Sequence, residues 1–131
     1  AMGALIADQL GLPFVYVRSK PKDHGLENLI EGDLKPGQKV VVIEDLVSTG
    51  GSSLKAAEAL SNFGGEVLGM LAIFTYNFSV ATDSFKKAGV ELTTLSNYQI
   101  LIENALKMRE ISDEDFENLQ NWRKNPSEWG K

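Results

Sequence analysis

The chain has 131 residues, 43% of them hydrophobic, which is enough for one core and makes a single domain over residues 1–131 the expectation. A net charge of −5 argues against a nucleic-acid or anionic-membrane surface, since both need a basic patch, and leaves any cationic function local. The absence of cysteine excludes disulfides and thiolate metal sites and fits a reducing cytoplasm, and no stretch approaches membrane-spanning length.

The first ten residues read as a helix already under way, with Leu5, Ile6 and Leu10 apolar and Gly11 placed to cap its end. Leu12 to Val17 reads as a strand, with Pro13 tolerated at its start and β-branched and aromatic residues after it. From Ser19 to Lys39 periodicity disappears, and only Leu29-Ile30 looks able to pair. So long an irregular stretch in a small domain is usually functional or disordered. Arg18, Lys20, Lys22 and His24 concentrate positive charge there, in an otherwise acidic chain. Solvation is the ordinary role of such residues. On a movable loop they can also close over a diphosphate, neutralise charge on a leaving group and exclude water.

The organising stretch is Val40 to Ser53, Val-Val-Val-Ile-Glu-Asp-Leu-Val-Ser-Thr-Gly-Gly-Ser-Ser. Val40 to Ile43 fits a strand buried on both faces of a parallel sheet. Glu44 and Asp45 are then expected at its carboxyl end, where open α/β sheets bind ligands. Ser48, Thr49, Gly50, Gly51 and Ser52 lack bulky side chains, so their amides can converge on a phosphate at a helix N-terminus. Adjacent carboxylates would repel that phosphate but accept well from two vicinal hydroxyls and can help hold Mg²⁺. A phosphorylated sugar meets both conditions; a buried strand with an acidic turn and a Gly-rich cap is the plainer alternative. No Gly-Lys-Ser/Thr follows, which excludes a Walker A loop.

Beyond it, Ser52 to Phe63 alternates apolar and polar residues as an amphipathic helix ended by Gly64-Gly65, and Glu66 to Tyr76 is apolar enough for a central strand. Phe78 to Ala88 predicts a helix capped by Gly89, and Val90 to Leu95 a short strand. Ser96 or Asn97 can cap the next helix, and Ser112, followed by three acids, the last one. Trp122 and Trp129 read as packing residues, because no basic residues interleave with them except Arg123 and Lys124.

Val40 to Ser53 resembles the 5-phosphoribosyl 1-pyrophosphate (PRPP) signature of type I phosphoribosyltransferases, and Arg18-Ser19-Lys20-Pro21-Lys22-Asp23-His24-Gly25 resembles the mobile catalytic loop of the orotate phosphoribosyltransferase family. The resemblance implies an α/β fold with a mostly parallel sheet flanked by helices. It implies transfer of phosphoribose from PRPP to orotate, giving orotidine 5′-monophosphate in pyrimidine biosynthesis, in the cytoplasm. Arg18, Lys22 and His24 would act on the pyrophosphate; Glu44 and Asp45 would hold the ribose hydroxyls; Val47, Ser48, Thr49, Gly50, Gly51 and Ser52 would hold the 5-phosphate, with Leu46 also in the PRPP-binding set. Ser48 is the candidate orotate contact, since Thr75-Tyr76-Asn77 stands where some members have an arginine for the base. Mg²⁺ would arrive through PRPP, with Asp45 its candidate protein ligand. A homodimer is implied, with each basic loop reaching into the partner's site. The family has a strand, a pyrophosphate loop and an N-terminal hood before the first helix, so the chain corresponds to roughly the C-terminal two-thirds of that length, N-terminally truncated. A non-catalytic PRPP- or nucleotide-binding module, or an inactive remnant, is the competing expectation. Purine phosphoribosyltransferases share the acidic pair but not the basic loop.

Overall fold

A computed structural model describes residues 2–19 and 29–128. Lys20, Lys22 and His24 of the expected lid, and Trp129, lie outside the described residues. Helix α1 (Met2–Leu10) stops where Gly11 turns to φ 63°, and Leu12 N–H reaches back to the Ala7 carbonyl at 2.9 Å. Gly11 is the expected cap.

The strand expected over Leu12 to Val17 shrinks to β1 (Tyr16–Val17), which pairs antiparallel with β2 (Ile30–Glu31) and stays out of the parallel sheet. Leu12 and Phe14 are exposed and only Val15 packs against the core, so the segment before Tyr16 has no ladder to join. The pairing found at Ile30 agrees with Leu29-Ile30 as the one stretch of the loop able to pair. Arg18 N–H extends the contact to the Leu29 carbonyl at 2.8 Å.

The remaining elements alternate: β3 (Lys39–Val47), α2 (Gly51–Asn62), β4 (Glu66–Thr75), α3 (Ser79–Ala88), β5 (Leu92–Asn97), α4 (Tyr98–Lys107), α5 (Asp113–Lys124) and a 3₁₀ turn, Pro126–Glu128. β3, β4 and β5 form a parallel sheet with β4 in the middle, so the expected α/β architecture and the central place of Glu66 to Tyr76 both hold. Helices α2 and α3 pack Ala57, Leu60, Ala81 and Phe85 against Val42, Val47, Met70 and Ala72. Each large side chain buried there contributes about 1.5–3 kcal/mol.

Burial on both faces of β3 is corrected. Val42 is buried, but its neighbour Val41 is 46% exposed, and Leu71 and Ile73 of β4 are similarly open. The apolar run is unbroken, yet the α2–α3 core lies against the face that carries Val42 and Met70, and Val41, Leu71 and Ile73 stay open to solvent. Asn97, rather than Ser96, caps α4, its Oδ1 accepting from Ile100 N–H at 3.1 Å. Trp122 packs as expected, its ring centroid 5.2 Å from that of Tyr98 and 5.7 Å from that of Tyr76.

Candidate functional site

β3 does not stop before its acids. Its pairing with β4 continues in register from Ile43 opposite Leu71 to Val47 opposite Thr75, which carries Glu44 and Asp45 inside the strand. Successive strand side chains leave on opposite faces, so the two carboxylates flank the strand rather than converge on one side of it. Glu44 is half-buried opposite Ala72; Asp45 is exposed, and its Oδ1 accepts from Leu46 N–H at 2.7 Å. Neither takes part in an ion pair among the described residues.

Leu46 and Val47 bring no side-chain donor to a ligand. Leu46 is an exposed apolar residue, and Val47 is completely buried with its carbonyl accepting from Tyr76 N–H at 3.3 Å. The turn into α2 differs in kind. Gly50 is the residue before α2, at φ 83° and ψ −6°, and no side chain caps the helix. Leu54 N–H bonds the Gly50 carbonyl at 2.9 Å, so the amides of Gly51, Ser52 and Ser53 open the helix as its orphan donors. The first turn holds no acidic residue, and the positive end of a twelve-residue helix is therefore uncompensated within its first turn.

This is the chemistry of an anion cradle. A Cβ on Gly51 would meet nothing within 4 Å, so packing does not demand glycine there; the open side admits a ligand close to the backbone. Ser48 is half-buried, and Thr49 and Ser52 are exposed, leaving their hydroxyls accessible beside the same turn. Ser53 was outside the expected phosphate set. It belongs by its amide, since the helix begins at Gly51, while its side chain is buried.

Arg18 follows β1 with its guanidinium Nη1 3.1 Å from Glu31 Oε1. A partly exposed pair of this kind is worth about 0–1 kcal/mol, little enough for a phosphate to displace. Lys22 and His24, expected beside it, lie outside the described residues. Among the described residues no group of three His, Cys, Asp or Glu side chains converges as a metal site, and two cavities lie at the α4–α5 junction and the Asn77–Ser79 turn. The chemistry of the motif suits Mg²⁺ all the same, because that ion is commonly held by one or two carboxylates together with substrate phosphates.

Residues to which the sequence reading gave no site role complete the neighbourhood. Thr75, buried at the end of β4, accepts from Asn77 N–H at 3.0 Å, and Arg123 of α5 donates to the carbonyls of Tyr76 and Asn77. An arginine among polar helix residues gives no local sign of such a contact.

Comparison with known proteins agrees with this geometry. An orotate phosphoribosyltransferase of Porphyromonas gingivalis is 65% identical over 130 residues, covering 99% of this chain and 62% of that protein. The UMP synthase structure of Leishmania donovani superposes with a TM-score of 0.74 at 25% identity, over 92% of this chain and 26% of that one. The Mycobacterium tuberculosis orotate phosphoribosyltransferase structure in complex with PRPP has a TM-score of 0.56 at 28% identity, covering 67% of this chain and 49% of that one. The chain thus spans about 60% of the length of the curated relatives it matches. Residues 1–102, which hold β3, the small-residue loop and α2, match the phosphoribosyl transferase domain, and the chain belongs to that family.

Proposed function

We propose that this chain carries the PRPP-handling part of an orotate phosphoribosyltransferase, which joins orotate to the ribose 5-phosphate of PRPP in pyrimidine biosynthesis. The observation that carries the proposal is the uncapped start of α2, reached through a turn of small residues from β3, the strand that carries Glu44 and Asp45. Close relatives with that name support the choice of base.

In the reaction, a bond forms between a ring nitrogen of orotate and C1 of the ribose while the bond from C1 to the pyrophosphate oxygen breaks. The electron pair leaves with the pyrophosphate, and the ring nitrogen gives up its proton. The amides of Gly51 to Ser53 and the hydroxyls of Ser48, Thr49 and Ser52 hold the 5-phosphate. Of the two acids, the exposed Asp45 is the acceptor for the ribose hydroxyls, because Glu44 leaves half-buried on the opposite face of β3. Arg18, released from Glu31, joins Lys22 and His24 on the leaving pyrophosphate, and Ser48 contacts the base. Asp45 would be the protein ligand to Mg²⁺ arriving with PRPP, and the ion would supply positive charge against the leaving pyrophosphate. We further propose a cytoplasmic homodimer in which the basic loop of one subunit serves the other. No helix among the described residues is long and apolar enough to cross a membrane.

Calorimetry with PRPP and with orotidine 5′-monophosphate, run beside an assay of orotate consumption, tests the proposal. Binding with turnover is expected for the enzyme. Binding without turnover assigns this polypeptide to the nucleotide-binding alternative, and absence of binding defeats both.

A further inference from the structure

We infer that Arg123, on the C-terminal helix α5, is a positioning residue for the phosphate loop after β3. The inference rests on the proposal that this loop holds the 5-phosphate. The guanidinium spans two successive carbonyls, with Nε 3.0 Å from the Tyr76 oxygen and Nη2 2.8 Å from the Asn77 oxygen. These carbonyls belong to the turn between β4 and α3, where Asn77 stands at φ 56°. Asparagine tolerates this left-handed conformation better than most residues, and it is fixed where its surroundings hold it. Here it is held from within by Asn77 N–H on Thr75 Oγ1, and from a distance by Arg123.

The turn grips the loop at both ends. On the entering side, Tyr76 N–H donates to the Val47 carbonyl, and Val47 is the last residue of β3. On the leaving side, Gly50 lies against Phe85 and Ala81 of α3, the helix that this turn launches. Ser48 and Thr49 are strung between the two grips. Moving the turn therefore moves the frame on which the amides of α2 are presented.

Arginine is suited to this task for a reason other than charge. Its donors are fixed in a planar fork that can meet two adjacent carbonyls, whereas a lysine ammonium is a single point on a flexible stem. Trp122, next in the chain, packs its ring 5.7 Å from Tyr76 and 5.9 Å from Phe78, which anchors α5 at the same turn. Arg123 takes part in no ion pair among the described residues, so its hydrogen bonds are committed to the backbone.

The test compares the wild-type chain with Arg123→Gln and Arg123→Lys by three measurements. These are amide hydrogen exchange without ligand, PRPP affinity by calorimetry, and global stability by urea unfolding. In both variants exchange over residues 46–54 and 75–80 should rise about tenfold, while residues 67–72 of β4 exchange as in the wild type. PRPP affinity should fall about tenfold, as expected for a displaced charge-assisted hydrogen bond. A uniform rise in exchange that tracks lost global stability would overturn the inference, showing a general structural role. Wild-type behaviour in Arg123→Lys would also overturn it, because charge alone would then suffice. Should the wild-type chain fail to bind PRPP, the functional proposal fails, and the exchange pattern alone still decides whether Arg123 holds the loop.

Discussion

Gly50 faces the ring of Phe85 so closely that a Cβ added to it would lie 2.8 Å from Phe85 Cε2. The same residue stands at φ 83°. Gly50→Ala thus meets two separate penalties, about 1–2 kcal/mol for the left-handed backbone and a steric term on top. The expected outcome is a stability loss of about 2 kcal/mol or more in urea unfolding. Adding Phe85→Leu should remove part of the steric share only, and full recovery in the double variant would show that the backbone conformation costs nothing.

Gly51 is predicted to behave in the opposite way. It has no left-handed φ, and an added methyl would meet no protein atom within 4 Å. In the free protein Gly51→Ala should be neutral or stabilising, by up to about 1 kcal/mol, because it opens a helix. Phosphate affinity should nonetheless fall about tenfold, since the methyl stands where a ligand approaches the amides. Undiminished binding of ribose 5-phosphate by calorimetry would remove the start of α2 from the site.

Asp45→Asn isolates the proposed sugar-binding role. Asp45 is exposed, and an asparagine oxygen can keep the local bond to Leu46 N–H, so the unfolding midpoint should not move. Hydrogen bonds to a charged group contribute about 1.5–3 kcal/mol, which predicts PRPP affinity roughly 10- to 100-fold weaker. Titration of the variant at unchanged fold, checked by circular dichroism, reads the effect directly. Equal affinity in both proteins would end the assignment of the ribose hydroxyls to this carboxylate.

The site was more legible in the sequence than its support. Asn97 as a cap, Gly11 and Gly89 as stops, and the small residues opening α2 are local features, read from neighbours within four positions. The unbroken apolar run at Val40 to Ile43 marks a strand in a sheet, but periodicity says only that a face is apolar, not that anything lies on it. Val41, Leu71 and Ile73 are open for that reason. Nor does local pattern foretell pairing partners: Tyr16–Val17 finds Ile30–Glu31 across a loop, and Arg123 finds carbonyls 46 and 47 residues earlier. Thr75-Tyr76-Asn77, noted in the sequence for an arginine it lacks, receives one from a different helix through its backbone.

Tyr98 makes stability sensitive to alkali. Its ring is buried among aromatic side chains and its hydroxyl donates to the Leu119 carbonyl at 3.3 Å. Burial raises its pKa above the usual 10.0, Tyr76 adds to the rise, and the Arg123 charge opposes it. The folded chain therefore keeps this proton at pH values where the unfolded chain has lost it. The contribution is complete below the unfolded pKa of 10.0 and is lost as pH rises through the higher folded value. Tyr98→Phe should cost about 0.5–1.5 kcal/mol at neutral pH and flatten the alkaline fall in urea stability. A fall equally steep in the variant would place its origin elsewhere.

Acid acts through the start of α5. Ser112 Oγ donates to Asp115 Oδ2 at 2.7 Å, Ser112 N–H donates to the same oxygen at 3.0 Å, and Asp115 N–H donates back to Ser112 Oγ at 3.1 Å. The hydroxyl, then the amide, hold the Asp115 carboxyl below its usual 3.8, against a smaller opposing effect of desolvation. Because the folded pKa is the lower one, the stabilisation is present above 3.8 and disappears as pH falls through the folded value. Ser112→Ala should lower stability by about 1 kcal/mol near neutrality, through loss of the cap. It should also shrink the acid-dependent part of unfolding, because both donors to the carboxylate act through the cap geometry. Urea curves for both proteins between about pH 7 and about pH 2 measure the two effects together, and an unchanged acid limb would show that the Ser112 hydrogen bonds do not hold the Asp115 proton off.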